Sequence, residues 1–200
     1  MSDLCALLVI DVQNDFCEGG ALEVSGGSEI VEPINALMEA YDVVILSQDW
    51  HPTNHQSFAS NHSNKHAYEM ITMPYGPQVL WPTHCVQGSK GAEFHSKLRS
   101  DPVQMIVRKG FRPTIDSYSA FFENDQTTPT GLDGYLRTRN VKKITIVGLA
   151  LDFCVKFTAL DARRLGYEVI VKQDACRAID LDGSLEVALS EMNEAGVSLF

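Results

Sequence analysis

The sequence lacks a long hydrophobic run, an excess of basic residues and a disulfide-like cysteine pattern. No apolar run approaches the roughly 18 residues that span a bilayer, and the start MSDLCALLVID has neither a basic stretch nor a small-residue cleavage site. The sequence has 16 Lys and Arg residues and 26 Asp and Glu residues, and the resulting net charge of −10 disfavours nucleic-acid and membrane-surface partners. Five cysteines without framework spacing indicate reduced thiols. We therefore expect a cytoplasmic protein.

The remaining pattern predicts one α/β domain over residues 1–200, since a domain averages about 150 residues. Apolar, β-branched runs predict six strands over residues 6–11, 43–49, 104–109, 143–148, 168–174 and 197–200. Helical spacing predicts helices over residues 28–41, 132–139, 152–165 and 181–195, with Thr130 as the N-cap of the second. Their alternation predicts a doubly wound, mostly parallel six-stranded sheet between helices.

Residues 50–91 depart from this alternation. They are rich in His, Asn, Ser and Pro and show no sustained period, so we expect a long loop insertion after the second strand. Loops of this length in a compact domain are usually functional or disordered. Aromatic residues such as Phe58 and Trp81 provide apolar anchors, which favours a functional loop.

Chemically reactive side chains stand at the carboxyl ends of the predicted strands, where parallel sheets bind ligands. Asp11 ends the first strand, Asp49 the second and Lys109 the third, and the fourth leads to Cys154 near a helix start. A thiol near a helix N-terminus and a lysine would have a lowered pKa, so we expect thiolate near neutral pH. Asp11 would act as general base. Taken singly, each has a structural alternative: a buried core thiol, a turn-capping carboxylate and a surface lysine.

The second strand also leads into a candidate metal site. Asp49 and His51, two residues apart in extended backbone, point to the same side, as a chelate requires. The long loop offers four candidates for a third ligand, and spacing does not choose among them: His55, His62, His66 and His84. Mixed carboxylate and imidazole ligation suits Zn²⁺, Mn²⁺ or Fe²⁺ and excludes an all-thiolate site.

Five segments together resemble the nicotinamidase branch of the isochorismatase-like cysteine hydrolases, over nearly the whole chain and in family order. They are IDVQNDF at 10–16, QDWHP at 48–52, WPTHCV at 81–86, KG at 109–110 and VGLALDFCV at 147–155. The resemblance implies the family's parallel six-stranded sheet, which agrees with the periodicity. It also implies hydrolysis of nicotinamide, and of pyrazinamide, in pyridine-nucleotide salvage.

Residue by residue, the resemblance implies a catalytic triad of Asp11, Lys109 and Cys154. It implies one divalent transition metal per chain, zinc first and manganese or iron as alternatives, held by Asp49, His51 and His84 and anchoring the pyridine nitrogen. A cis peptide before Ala150 would let the amides of Ala150 and Cys154 form an oxyanion hole. The residues that would line the substrate pocket are Phe16, Trp81 and Tyr118.

Two rival functions remain open at this point. One is another hydrolase of the same family, and the other is a non-enzymatic redox-sensing domain in which Cys154 is a sensor thiol and the histidines store metal. A sensor usually has a resolving cysteine nearby, and none stands within a few residues of Cys154. Some family members have a further metal-binding histidine where Ser57 stands here. The sequence does not decide between a monomer and a homodimer.

Overall fold

A single six-stranded sheet organises the molecule, in a computed structural model that describes residues 4–200. Its six strands are β1 Leu4–Ile10, β2 Val43–Asp49, β5 Met105–Lys109, β6 Val141–Leu149, β7 Glu168–Arg177 and β8 Ser198–Leu199, and a separate antiparallel hairpin is formed by β3 Met70–Met73 and β4 Gly76–Val79. The strand order in the sheet is β5-β2-β1-β6-β7-β8, and every pairing in it is parallel. The predicted fold class is confirmed.

Helices cover both faces of this sheet because its strands are apolar on both sides. Along β1, Ala6 and Leu8 join the core on one face, whereas Leu7 and Val9 join the core on the other. The four helices are α1 Val31–Met38, α2 Leu132–Thr138, α3 Lys156–Arg164 and α4 Ser184–Glu194. Residues of α1 pack in the core that contains Leu7 and Val9, whereas residues of α2, α3 and α4 pack in the core that contains Ala6 and Leu8.

Several boundaries differ from the predicted ones for local backbone reasons. Asp11 lies outside β1 because its φ of +47° breaks the extended conformation. A left-handed conformation at Asp180 and Asp182 delays α4 to Ser184. The prediction of Thr130 as an N-cap is wrong, since Gly131 occupies that position with a φ of +101°. The spacing of apolar residues in the sequence does not reveal where a single residue leaves the helical or extended conformation.

Residues 50–91 contain more regular structure than the sequence predicts. The β3–β4 hairpin lies there, together with a short 3-10 helix at Ala59–Asn61. Strands of four residues are too short to establish a period of two. Throughout residues 4–200, no helix combines the length and the apolar character needed to span a membrane.

The sheet has a switch point between β1 and β6, its two central strands. From β1 the chain adds β2 and β5 on one side, and from β6 it adds β7 and β8 on the other. Parallel sheets bind ligands in the crevice that opens beyond the carboxyl ends of the strands at such a point. Asp11 follows β1 there, and Cys154 follows β6.

Candidate active site and metal centre

The structure brings Asp11, Lys109 and Cys154 together at the switch point. Lys109 is the last residue of β5 and is fully buried. Its Nζ lies 2.8 Å from Asp11 Oδ2, 3.4 Å from Cys154 Sγ and 2.9 Å from the carbonyl oxygen of Ser117, and it also contacts Asp49 Oδ1. One cation therefore contacts two carboxylates and a thiol, and these three groups come from three other segments of the chain.

Charge balance at this cluster decides its protonation. Burial by itself would lower the pKa of Lys109, but the carboxylates of Asp11 and Asp49 outweigh it and hold that pKa well above its ordinary value. Burial raises the pKa of Asp11, and the Lys109 cation offsets this only in part. Lys109 is therefore positively charged at neutral pH, and Asp11 is a stronger base than an exposed aspartate.

The thiol of Cys154 is not activated in the way that the sequence suggested. Burial raises its pKa well above the ordinary value, Lys109 opposes this, and the nearby carboxylates add to the rise. Cys154 also lies in a π-helical turn, Leu151–Val155, rather than in the first turn of a regular α-helix. The expected thiolate at neutral pH is therefore wrong for this structure, and reaction at sulfur needs a base.

Asp11 has an oxygen available to act as that base. Its Oδ1 accepts a hydrogen bond from Ser47 Oγ at 2.7 Å. Its Oδ2 makes the ion-pair contact with Lys109 but receives no hydrogen bond of good geometry from any described residue. A carboxylate oxygen of Asp11 and the sulfur of Cys154 lie within 4.8 Å of each other. A small shift would let the thiol donate its proton to this oxygen.

Asp49, His51 and His84 form a donor set beside this cluster. Asp49 Oδ2 lies 3.5 Å from His51 Nε2 and 3.7 Å from His84 Nε2, and all three residues are buried. Ligand atoms bound tetrahedrally at about 2.1 Å from a metal lie about 3.4 Å apart, which is close to these spacings. Burial raises the pKa of Asp49, but Lys109 and His51 outweigh it and hold it well below its ordinary range.

Hydrogen bonds to the other ring nitrogens orient both histidines. His51 Nδ1 lies 2.8 Å from the carbonyl oxygen of Gly110, and His84 Nδ1 lies 2.7 Å from that of Pro82. A carbonyl oxygen only accepts a hydrogen bond, so Nδ1 is the protonated nitrogen of each neutral ring and Nε2 carries the lone pair that faces Asp49. With neutral rings, the three residues direct lone pairs to one point, and the set fits a divalent transition metal with open coordination positions.

The other histidines of residues 50–91 do not complete this set. His62 Nε2 bonds to the carbonyl oxygen of Gln56 at 2.7 Å, and His66 is exposed. His55 packs against His51 with ring centroids 4.4 Å apart, and its Nδ1 lies 2.7 Å from Ser57 Oγ. Burial lowers the pKa of His55 to about 4, so its ring is neutral at pH 7. His55 therefore supports the position of His51.

A cleft lined by Cys154 at one position and by Asp49, His51 and His84 at others connects the thiol to the metal donor set. The three predicted pocket residues Phe16, Trp81 and Tyr118 line it, and Trp81 Nε1 donates to the Tyr118 hydroxyl at 3.1 Å. Sequence reasoning missed four further lining residues: Leu22, Asp116, Phe153 and Ile179. Phe153 precedes Cys154 and Asp116 stands two residues before Tyr118, so proximity in sequence could have found both. Leu22 and Ile179 carry no such signal.

The turn after β6 supplies backbone groups to the same cleft. The peptide between Leu149 and Ala150 is cis, as the resemblance implies. Both Ala150 and Cys154 line the cleft, and the Ala150 amide donates to no acceptor among the described residues. Unpaired amides beside a nucleophile can stabilise negative charge on a substrate oxygen.

Comparison with known proteins agrees with this geometry. The isochorismatase domain pattern matches residues 5–199. The chain belongs to the isochorismatase family. A curated family member from Acinetobacter baylyi, named nicotinamidase, is 53% identical over 193 residues, which cover 96% of this chain and 90% of the relative.

Solved structures of family members superpose closely on this chain. An Acinetobacter baumannii nicotinamidase/pyrazinamidase matches with a TM-score of 0.98 and 50% identity, covering 100% of this chain and 97% of that one. A Pyrococcus horikoshii pyrazinamidase in complex with zinc matches with a TM-score of 0.78 and 36% identity, covering 98% of each chain. The isochorismatase-family fold thus extends over the whole described structure.

Proposed function

We propose that this chain hydrolyses nicotinamide to nicotinate and ammonia, as one step of pyridine-nucleotide salvage, with Cys154 as a covalent nucleophile. The observation that carries the proposal is the contact of one buried lysine, Lys109, with Asp11, Asp49 and Cys154 at the base of an aromatic-lined cleft. The 53% identical nicotinamidase supports the substrate, and pyrazinamide is a second expected substrate.

Asp11 starts the proposed reaction by taking the thiol proton from Cys154. The sulfur attacks the carboxamide carbon, a C–S bond forms, and the carbonyl oxygen becomes an oxyanion that the amides of Ala150 and Cys154 stabilise. The oxyanion collapses, the C–N bond breaks, and ammonia leaves with the proton returned by Asp11. A nicotinoyl thioester remains on Cys154.

Water completes the proposed cycle. Asp11 removes a proton from a water molecule, and the hydroxide attacks the thioester carbon. The C–S bond breaks, Asp11 returns its proton to the departing sulfur of Cys154, and the product leaves as nicotinic acid, which ionises to nicotinate in water. Lys109 keeps a positive charge between the carboxylate and the sulfur throughout, which favours the anionic form of each. It lowers the cost of forming thiolate in a buried site.

Asp49, His51 and His84 would hold one divalent transition metal, with zinc first. When bound, the metal would supply an electrophilic coordination position for the pyridine nitrogen. Phe16 and Trp81 would hold the flat ring between them. Such positioning of substrate against a nucleophile can lower the barrier by several kcal/mol.

We also propose a cytoplasmic location and a small-molecule substrate. The five cysteines are all unpaired, as is usual in a reducing compartment. The aromatic side chains of Phe16, Trp81, Tyr118 and Phe153 line the cleft, which suits a flat heteroaromatic ring.

Ammonia release from nicotinamide by metal-replete protein tests the function directly. We expect steady turnover of nicotinamide and of pyrazinamide, and rapid quench should trap an adduct of nicotinoyl mass on the peptide that contains Cys154. Absence of turnover of both amides would contradict the proposed nicotinamide hydrolysis. Turnover without any adduct, in the presence of an intact Cys154, would remove the covalent step alone.

A further inference from the structure

Three polar side chains between Asp11 and Phe16 are not used by the proposed reaction, and two of them, Gln13 and Asp15, contact the segments that carry the metal donors. Gln13 is fully buried, and Asp15 is partly buried. Buried polar side chains are retained only where hydrogen bonds offset the cost of their desolvation. The partners of Gln13 and Asp15 therefore indicate what this segment does.

Gln13 takes the place of a missing strand beside Asp49. The pairing of β1 with β2 ends at Val9 and Leu46, and Asp11 then turns the chain away, whereas β2 continues to Asp49. The side chain of Gln13 accepts a hydrogen bond from the Asp49 amide at 2.8 Å and donates one to the Asp49 carbonyl at 2.8 Å. It thus satisfies both backbone groups of Asp49 on the side that β1 has left.

Fixing the Asp49 backbone fixes the direction of its carboxylate. On the other side, Asp49 pairs with Lys109 of β5, so its backbone is held from both sides. Its Oδ1 contacts Lys109, and its Oδ2 points toward the Nε2 atoms of His51 and His84. A rotation of this backbone would move Oδ2 away from the point where the two histidines converge.

Asp15 makes the equivalent contact beside the third ligand. Its Oδ2 accepts a hydrogen bond from the amide of Cys85 at 2.7 Å. Cys85 follows His84 directly and has a φ of +45°, a conformation that a non-glycine residue rarely adopts without support. The Asp15 amide also donates to the carbonyl of Gly91 at 3.0 Å, which ties the same loop at a second point.

We propose that Gln13 and Asp15 are positioning residues that set the spacing of Asp49 and His84 for a divalent metal ion. The inference rests on the proposed metal site. The six residues 11–16 would then contain the proposed base, Asp11, and would also align two metal ligands from other segments, Asp49 and His84. Outer-shell hydrogen bonds of this kind typically change metal affinity when they are removed.

A matched pair of variants isolates the contribution of Gln13. Gln13→Met removes the two bonds to Asp49 and one to the carbonyl of Ala92. Gln48→Met removes a bond to the same Ala92 carbonyl and one from Arg108 Nε, but none to the Asp49 backbone. We expect the zinc dissociation constant, measured in competition with a chromophoric chelator, to rise about tenfold or more in Gln13→Met and to stay within about twofold of wild type in Gln48→Met.

A second pair isolates Asp15 and remains informative if Gln13→Met does not fold. Asp15→Ala removes the acceptor of the Cys85 amide and of a longer bond, at 3.3 Å, from the Ala21 amide. Glu23→Ala removes the exposed acceptor of the Gly19 amide at 2.7 Å, with the same change of charge. We expect weaker zinc binding in Asp15→Ala only, with similar unfolding midpoints for the two metal-free variants. A loss shared by both would be a charge effect and would overturn the role of Asp15.

The outcomes separate this inference from the metal site itself. Wild-type protein that binds no zinc would overturn the metal site and the inference together. Wild-type protein that binds zinc, with Gln13→Met or Asp15→Ala binding it equally well, would overturn the inference alone. Selective loss of affinity in these two variants supports it.

Discussion

Replacing Lys109 with methionine is the most informative perturbation of the buried cluster, because it removes the charge and keeps most of the volume. Lys109 Nζ lies 2.8 Å from Asp11 Oδ2. At an effective dielectric constant of about 20, this distance corresponds to an attraction of about 6 kcal/mol. The cost of burying the lysine is recovered when it is removed, so the expected net loss of stability is about 3–5 kcal/mol.

Urea unfolding at pH 7 measures this loss, and a surface lysine provides the control. For a chain of 200 residues, about 3–5 kcal/mol lowers the unfolding temperature by roughly 6–20 °C. Lys143→Met removes a partly exposed surface lysine that contacts Glu168 at 2.6 Å, and we expect a much smaller loss of stability there. The comparison separates a buried charge from a surface one.

The double variant Lys109→Met with Asp11→Asn tests the cause of the loss. If an uncompensated carboxylate destabilises Lys109→Met, neutralising Asp11 should restore at least about 1.5 kcal/mol relative to additivity, while hydrolysis stays absent. Alkylation of Cys154 by iodoacetamide should also slow in Lys109→Met, because the cation that opposes the rise of its pKa is gone. A loss no larger than that of Lys143→Met, or no restoration by Asp11→Asn, would refute the reasoning.

Three further predictions follow from the site. Cys154→Ser should abolish ammonia release while zinc content per chain stays at the wild-type level, and Cys5→Ser should retain activity; wild-type turnover by Cys154→Ser would exclude covalent catalysis at this residue. Benzamide has the amide but no ring nitrogen, so its kcat/KM should be at least about a hundredfold below that of nicotinamide. His84→Ala should narrow this difference in kcat/KM. Equal turnover of the two amides by the wild type would exclude a role of the metal in anchoring the ring nitrogen. The pKa of His55 is about 4 in the folded protein and near 6.5 in the unfolded chain. Between these two pH values the unfolded state binds more protons at His55, so metal-free protein should lose stability as pH falls through this range. Between pH 7 and pH 5 this group contributes a loss of about 2 kcal/mol at most, which urea unfolding of His55→Gln should show as a flatter pH dependence; an identical slope in the variant would contradict the neutral buried ring.

The sequence by itself determined the sheet and the identity of the residues at its carboxyl edge. Continuous apolar runs predict strands buried on both faces, and the alternation with helices forces parallel pairing, which places strand ends on one edge. Asp11, Asp49 and Lys109 follow from that rule because their positions depend only on where local apolar runs stop. Cys154 follows from it as well, as the thiol after the fourth strand, and five short motifs in family order added His84 through resemblance.

Tertiary structure decided what depends on contacts between segments distant in sequence. Spacing left the third metal donor open, whereas the fold brings only His84, among the loop candidates, to within 3.7 Å of Asp49 Oδ2. The protonation of Cys154 changed for the same reason: local sequence shows a lysine and a helix start, but desolvation and two carboxylates act only once the chain is folded. The left-handed backbone conformation of Asp11, with a φ of +47°, likewise depends on neighbours that no local sequence pattern encodes.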